Sequence, residues 1–195
     1  MKWAVVLLLL AYSGFSQPGE VKLLSSIYND SASINITTAK LASKSVAAVS
    51  AAVPATLLIT GLIKKDSALI EKGIQASIAI AFNAIVTTGM KYEADRQRPY
   101  VIYPLLFRAR EQTGPYSFPS AHTSMAFATA TSLTLSFPKW YVAVPAYAWA
   151  CSAGWSRMQL GVHYPTDVLM GALIGTASSF ISFKLDKWIN RKKDQ

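Results

Sequence analysis

Ser45-Val-Ala-Ala-Val-Ser-Ala-Ala-Val-Pro-Ala-Thr-Leu-Leu-Ile-Thr-Gly-Leu-Ile63 carries no charge, and reading it as helix or strand decides the fold. It lacks the strict alternation of a half-buried strand and is too long for an ordinary one, so it reads as a helix. The charged connection Lys64-Lys-Asp-Ser-Ala-Leu-Ile-Glu-Lys72 separates it from a second uncharged run, Gly73 to Met90. Three more apolar stretches follow: Ala121 to Phe137, Trp140 to Trp155, and Val168 to Phe183. Each is about 16 to 19 residues long, close to the lower bound for crossing a bilayer. With no strand-like alternation and no internal repeat, the expected fold is all-α, a bundle of five membrane-spanning or buried helices.

Composition agrees. Of 195 residues, 52% are hydrophobic and 15% charged, against roughly a quarter charged in a soluble domain. The length suits one domain. A formal net charge of +9 selects anionic partners as a class: anionic lipid, a phosphorylated substrate or nucleic acid. No basic run interleaved with stacking aromatics and no zinc-finger spacing is present, so nucleic acid is not an expected partner. A single cysteine, Cys151, cannot form an intrachain disulfide and is expected to be a small buried packing residue.

Lys2, the short apolar run Trp3 to Ala11, and the small residues of Tyr12-Ser-Gly-Phe-Ser16 describe a secretory signal peptide over 1–16. The other reading is an uncleaved anchor, although the run is short for a span. Residues 17–44, rich in Ser, Thr and Asn, are expected to form an exported polar segment with a short helix near Ile36 to Lys44. The helical-bundle domain then covers 45–195. If its helices span alternately, Lys64, Lys65, Lys72, Lys139, Lys184, Lys187, Arg191, Lys192 and Lys193 fall on one side. Basic residues gather on the cytoplasmic face of membrane proteins. The opposite end of the bundle would then face the periplasm.

Three segments carry chemistry, and an up-and-down bundle brings them to that opposite end. They are Lys91-Tyr-Glu-Ala-Asp-Arg-Gln-Arg98-Pro99, Pro119-Ser120-Ala121-His122 and Ser156-Arg157-Met-Gln-Leu-Gly-Val-His163-Tyr-Pro-Thr-Asp167. Clustering Lys91, Arg98 and Arg157 is unfavourable unless an anion lies among them, and guanidinium groups match phosphate oxygens in pairs. Ser120, at a predicted helix start, offers a hydroxyl and is followed by backbone N–H groups where the helix dipole favours an anion. Asp167 lies four residues after His163. A carboxylate there can hold one ring N–H and leave the other nitrogen as a nucleophile. His122 can protonate a leaving oxygen.

These motifs resemble those of the type 2 phosphatidic acid phosphatase family, which includes bacterial acid phosphatases and vanadium haloperoxidases. The family signature reads Lys-x6-Arg-Pro, Pro-Ser-Gly-His and Ser-Arg-x5-His-x3-Asp. Lys91 to Pro99 and Ser156 to Asp167 fit it throughout, while Ala121 stands in place of the glycine and keeps its amide donor. The resemblance implies that His163 becomes phosphorylated, that Asp167 supports it and that His122 donates a proton. Lys91, Arg98, Ser120, Arg157 and the Ala121 amide would bind the phosphoryl group, with no metal or other cofactor.

The leading expectation is hydrolysis of a lipid phosphate or polyprenyl diphosphate, with membrane lipid around the chain and the site on the periplasmic face of a bacterial inner membrane. Two alternatives are a soluble periplasmic acid phosphatase for small phosphomonoesters and a vanadate-dependent haloperoxidase. The aromatic loop Tyr100 to Phe118 either meets the bilayer interface or merely covers the end of the bundle.

Overall fold

Each of the five apolar stretches forms or lies inside a single helix, with only Phe137 falling just past the end of its own. The computed structural model describes residues 18–28 and 33–193, so the signal peptide expected over 1–16 lies outside the described residues. In chain order the helices are α1 (Pro18–Ile27), α2 (Ser33–Lys64), α3 (Ser67–Ala94), α4 (Pro99–Ile102), α5 (Ala121–Ser136), α6 (Trp140–Gln159) and α7 (Pro165–Lys193).

The polar N-terminal segment differs from its expected form. Residues 18–27 make a helix, and α2 runs through the expected boundary at Ser45. Leu24 is buried with Phe107 and Tyr164, so α1 packs on the bundle instead of merely leading to it. The apolar pair Val21 and Leu24 lies on one face of a short helix, a pattern too brief to stand out in a polar segment. Cys151 also departs from expectation: it is exposed. Ala150 and Ala153 occupy the buried face of α6 beside it.

The charged connection makes a tight turn between α2 and α3. Lys65 takes the left-handed conformation, and the Asp66 side chain caps α3 by accepting from the amides of Ala68 and Leu69. This satisfies donors that a helix start otherwise leaves open.

Central to the bundle is α5, which contacts α2, α3, α6 and α7. Its buried positions are small or hydroxyl-bearing, among them Ser124, Ala128, Thr129, Thr131 and Ser132. The hydroxyls are matched across helices: Thr129 to Ser50 at 2.8 Å, Thr131 to Tyr147 at 2.9 Å, and Ser132 to Ser179 at 3.0 Å. Such matching is required because an unpaired buried polar group is costly. The exterior is the reverse, with Ile59, Ile78, Phe82, Ile85, Leu173 and Phe180 exposed. Small hydroxyl-bearing interfaces inside and large apolar side chains outside are the arrangement that a lipid surrounding favours.

Three helical segments are long and apolar enough to cross a membrane: Asn35–Lys64, Ser67–Ile102 and Pro165–Asp186. The chain is a membrane protein. At 16 residues, α5 is only about 24 Å long, and it is enclosed by its neighbours.

Contact between α5 and α7 is backbone against backbone. A Cβ placed on Gly175 would lie 2.1 Å from the Ser124 carbonyl oxygen, and one on Gly171 would lie 2.6 Å from that of Ser120. Both are closer than real Cβ contacts, and both partners are backbone atoms that cannot step aside. Gly89, in contrast, has open space at its Cβ position. Gly175→Ala should therefore destabilise the fold by about 1–3 kcal/mol or more through overpacking. Gly89→Ala should leave stability unchanged or raise it by up to about 1 kcal/mol. Thermal unfolding midpoints of the two variants in detergent check this contrast.

Candidate active site

The end of the bundle opposite the Lys64–Lys72 connection gathers all three motif segments. At the end of α3, Asp95 adopts a left-handed cap, its amide donating to the Lys91 carbonyl. The extended residues beyond it separate two arginines: Arg96 is directed at Asp167, and Arg98 lines a cavity. The Ser117 amide donates to the Arg96 carbonyl at 2.8 Å, and its hydroxyl donates to the Gln97 carbonyl at 3.2 Å. These bonds hold this short segment against the long loop.

Ser120 caps α5, its hydroxyl accepting from the Thr123 amide, and its own amide donates to the Asp167 carbonyl at 3.0 Å. The start of α5 is thereby tied to the start of α7. Between α6 and α7 the chain turns through Gly161, whose φ of +71° is left-handed and whose Cβ would lie 2.8 Å from the Arg108 carbonyl oxygen. Only glycine meets both demands. That turn delivers His163 to the cavity and lets α7 begin at Pro165, where the fixed φ of proline suits a first helical position.

The cavity has a volume of about 350 Å³, and its walls include Lys91, Arg98, Ala121, His122, Arg157 and His163. Ser120 and Asp167 are fully buried, tied to one another behind this wall. The eight expected site residues thus come together.

His163 is held at both ring nitrogens. Its Nδ1 lies 3.3 Å from Asp167 Oδ2, and its Nε2 lies 3.2 Å from Arg98 Nη1. A guanidinium can only donate, so Nε2 is the acceptor. The ring proton then sits on Nδ1 and is donated to Asp167. Burial, and after it the charges of Arg98, Arg157 and Lys91, hold the His163 pKa well below the ordinary histidine range. The ring is neutral, with a lone pair on the nitrogen nearest the cations.

Arg98 is fixed by the Gly114 carbonyl at 2.7 Å and the Val162 carbonyl at 2.8 Å. Lys91 Nζ donates to the Tyr116 carbonyl at 3.1 Å. Arg157 is buried, and its Nη1 donates to Ser43 and, at 2.7 Å, to Glu111 Oε2. Its Nε is the one buried side-chain nitrogen or oxygen without a hydrogen-bond partner among the described residues. Burial pushes the Glu111 carboxyl up, but the Arg157 charge and the Ser43 hydroxyl outweigh it and leave the pKa lowered.

Five further residues shape the site without standing out in the sequence. Ser43 and Glu111 reach Arg157 from α2 and from the loop. Arg96 binds Asp167 Oδ1 at 2.6 Å and Glu20 Oε2 at 2.7 Å, and Thr166 meets both Arg96 and Glu20. Only Arg96 and Thr166 had a local signal, since Arg96 lies within the first motif two residues before Arg98 and Thr166 within the third, next to Asp167.

Residues 72–191 match the PAP2 superfamily. The undecaprenyl-diphosphatase of Sulfolobus acidocaldarius is 29% identical over 114 residues, covering 58% of this chain and 55% of that protein. The lipid A 4'-phosphatase of Bacteroides thetaiotaomicron is 37% identical over 62 residues, covering 32% of this chain and 28% of that protein. The chain thus spans about half or less of these relatives. Among solved structures, Aquifex aeolicus LpxE superposes with a TM-score of 0.64 at 27% identity, over 87% of this chain and 97% of that one. With its motifs gathered at one cavity and most of its bundle inside the matched segment, the chain belongs to the PAP2 superfamily.

Proposed function

We propose that the protein is a metal-independent phosphatase that hydrolyses a lipid phosphate or polyprenyl diphosphate through a phosphohistidine at His163. The observation that carries this reading is the placement of the His163 ring, with Nδ1 3.3 Å from Asp167 Oδ2 and Nε2 3.2 Å from the Arg98 donor, which puts the proton on Nδ1 and the lone pair on Nε2. Nε2 attacks phosphorus, the bond from phosphorus to the leaving oxygen breaks, and that oxygen takes its electron pair together with a proton from His122. Burial and then Arg157 lower the His122 pKa to about 4, and the bound phosphoryl anion favours its protonated form. Water then attacks the phosphohistidine and gives a proton to His122, which releases phosphate and restores the histidine. Lys91, Arg98, Arg157, Ser120 and the Ala121 amide stabilise the charge on the transferring group, the kind of contribution that often dominates catalysis.

The lipid character of the substrate is supported by the apolar exterior and by the relatives named above. The aromatic loop adds to this. Leu105 is 99% exposed while Phe107 beside it is buried, so the loop anchors on α1 and presents a leucine outward. The site lies at the end opposite Lys64, Lys65, Lys72 and Lys139, which supports a cytoplasmic basic end and a periplasmic site.

Purified protein should release phosphate from undecaprenyl diphosphate or phosphatidic acid in the presence of EDTA. His163→Ala should reduce kcat at least about a thousandfold, and brief incubation with labelled substrate should label wild-type protein but not this variant. EDTA-sensitive release, or undiminished release by His163→Ala, would contradict the mechanism. Since the His163 pKa is lowered, its ring should remain neutral as the pH falls through about 6.5, where an ordinary histidine gains its proton. Nitrogen NMR of the labelled imidazole checks this. A fluorescent protein joined after Gln195 should fluoresce in cells, as expected for a cytoplasmic C-terminus.

A further inference from the structure

Asp167 meets His163 with one carboxylate oxygen, and its other oxygen belongs to a buried ionic chain that the phosphoryl transfer does not by itself require. Oδ1 accepts from Arg96 Nη1 at 2.6 Å. The second arm of the same guanidinium, Nη2, is taken by Glu20 Oε2 at 2.7 Å. Glu20 Oε1 accepts from the Thr166 amide at 3.0 Å and from the Thr166 hydroxyl, in the first turn of the helix that carries Asp167. Arg96 also lies 4.0 Å over the Tyr164 ring. The Arg96 and Glu20 side chains are each only 7% exposed, so these charges act on one another with little screening.

Two consequences follow from this geometry. A planar guanidinium tends to grip a carboxylate with both arms. Were both arms of Arg96 on Asp167, its Oδ2 would be drawn from the His163 Nδ1–H and from the Tyr164 amide, which donates to it at 2.8 Å. By taking Nη2, Glu20 confines Arg96 to Oδ1. The second consequence is charge. Ionised Glu20, Arg96 and Asp167 sum to one negative charge, whereas Arg96 and Asp167 alone sum to zero. A net negative charge behind His163 favours the positive charge its ring acquires as Nε2 bonds to phosphorus.

We propose that Glu20 is a positioning residue for the phosphoryl transfer, acting through Arg96 on Asp167 and His163. This rests on the reading of His163 as the nucleophile. Glu20 lies in α1, outside the segment 72–191 that matches the superfamily, so the N-terminal helix contributes to the reaction as well as to packing.

The test uses the full chain in detergent with EDTA, following phosphate release from undecaprenyl diphosphate, or from phosphatidic acid if that is faster. Glu20→Gln keeps the shape and removes the charge. It should lower kcat about tenfold, the loss expected for a hydrogen bond to a charged group, with KM changed less than about twofold. In an Asp167→Asn background the same substitution should change kcat less than about twofold, because the route through Asp167 is already broken. Equal losses in both backgrounds, or wild-type kcat in Glu20→Gln, would overturn the inference. If Glu20→Gln does not fold, Glu20→Asp, which keeps the charge but shortens the reach to Arg96, takes its place in the same cycle, with the same non-additivity expected and the same additive result counting against it. His163→Ala is measured alongside: activity there would remove the nucleophile itself, whereas inactivity there with normal Glu20→Gln would remove only the role of Glu20.

Discussion

The backbone contact between α5 and α7 is the constraint on which the site depends. Gly171 and Gly175 let the two helices approach until side chains no longer separate them, and at their shared end the Ser120 amide reaches the Asp167 carbonyl. One helix start carries Ser120 and the Ala121 amide, and the other carries the carboxylate that meets His163. Their separation is set by main-chain atoms, which have far less freedom than side chains to drift. The start of α5 and the turn that carries His163 into α7 therefore keep a fixed distance.

Around this frame the electrostatics divide into two halves. On the cavity side, Lys91, Arg98 and Arg157 raise the local positive potential and add to burial in holding the His163 pKa down. Glu111 offsets part of that charge at Arg157, and Ser43 hydrogen-bonds to both. Behind the histidine, Asp167 receives a cation of its own from Arg96, which is in turn held by Glu20. His163 thus sits between a positive wall and a negative one. Such a field is suited to moving negative charge toward the cations while positive charge grows on the ring.

Much of this was legible in the sequence because it is local. Helix ends marked by Ser120 and Pro165 carry their cues within a few residues, and His163 and Asp167 are four apart along the chain. The apolar stretches also found their helices. Contacts made across long separations were not legible: Glu20 meets Arg96 over 76 residues, and Ser43 meets Arg157 over 114. In α1 only a few apolar positions are buried, so its polar composition concealed a packed helix. Cys151 shows the opposite error. An apolar run with no polar face gives no sign of which side turns inward, and in lipid the outward side need not be polar.

Arg157 Nε has a consequence for how the protein meets an anion. Most buried donors meet a protein acceptor as the chain folds, but among the described residues this one meets none. An oxygen of a phosphoryl group bound in the cavity can accept from it with no further dehydration of the donor. Under the proposed function, a phosphate-shaped ligand that reaches this nitrogen would add to the stability of the fold as well as occupy the site.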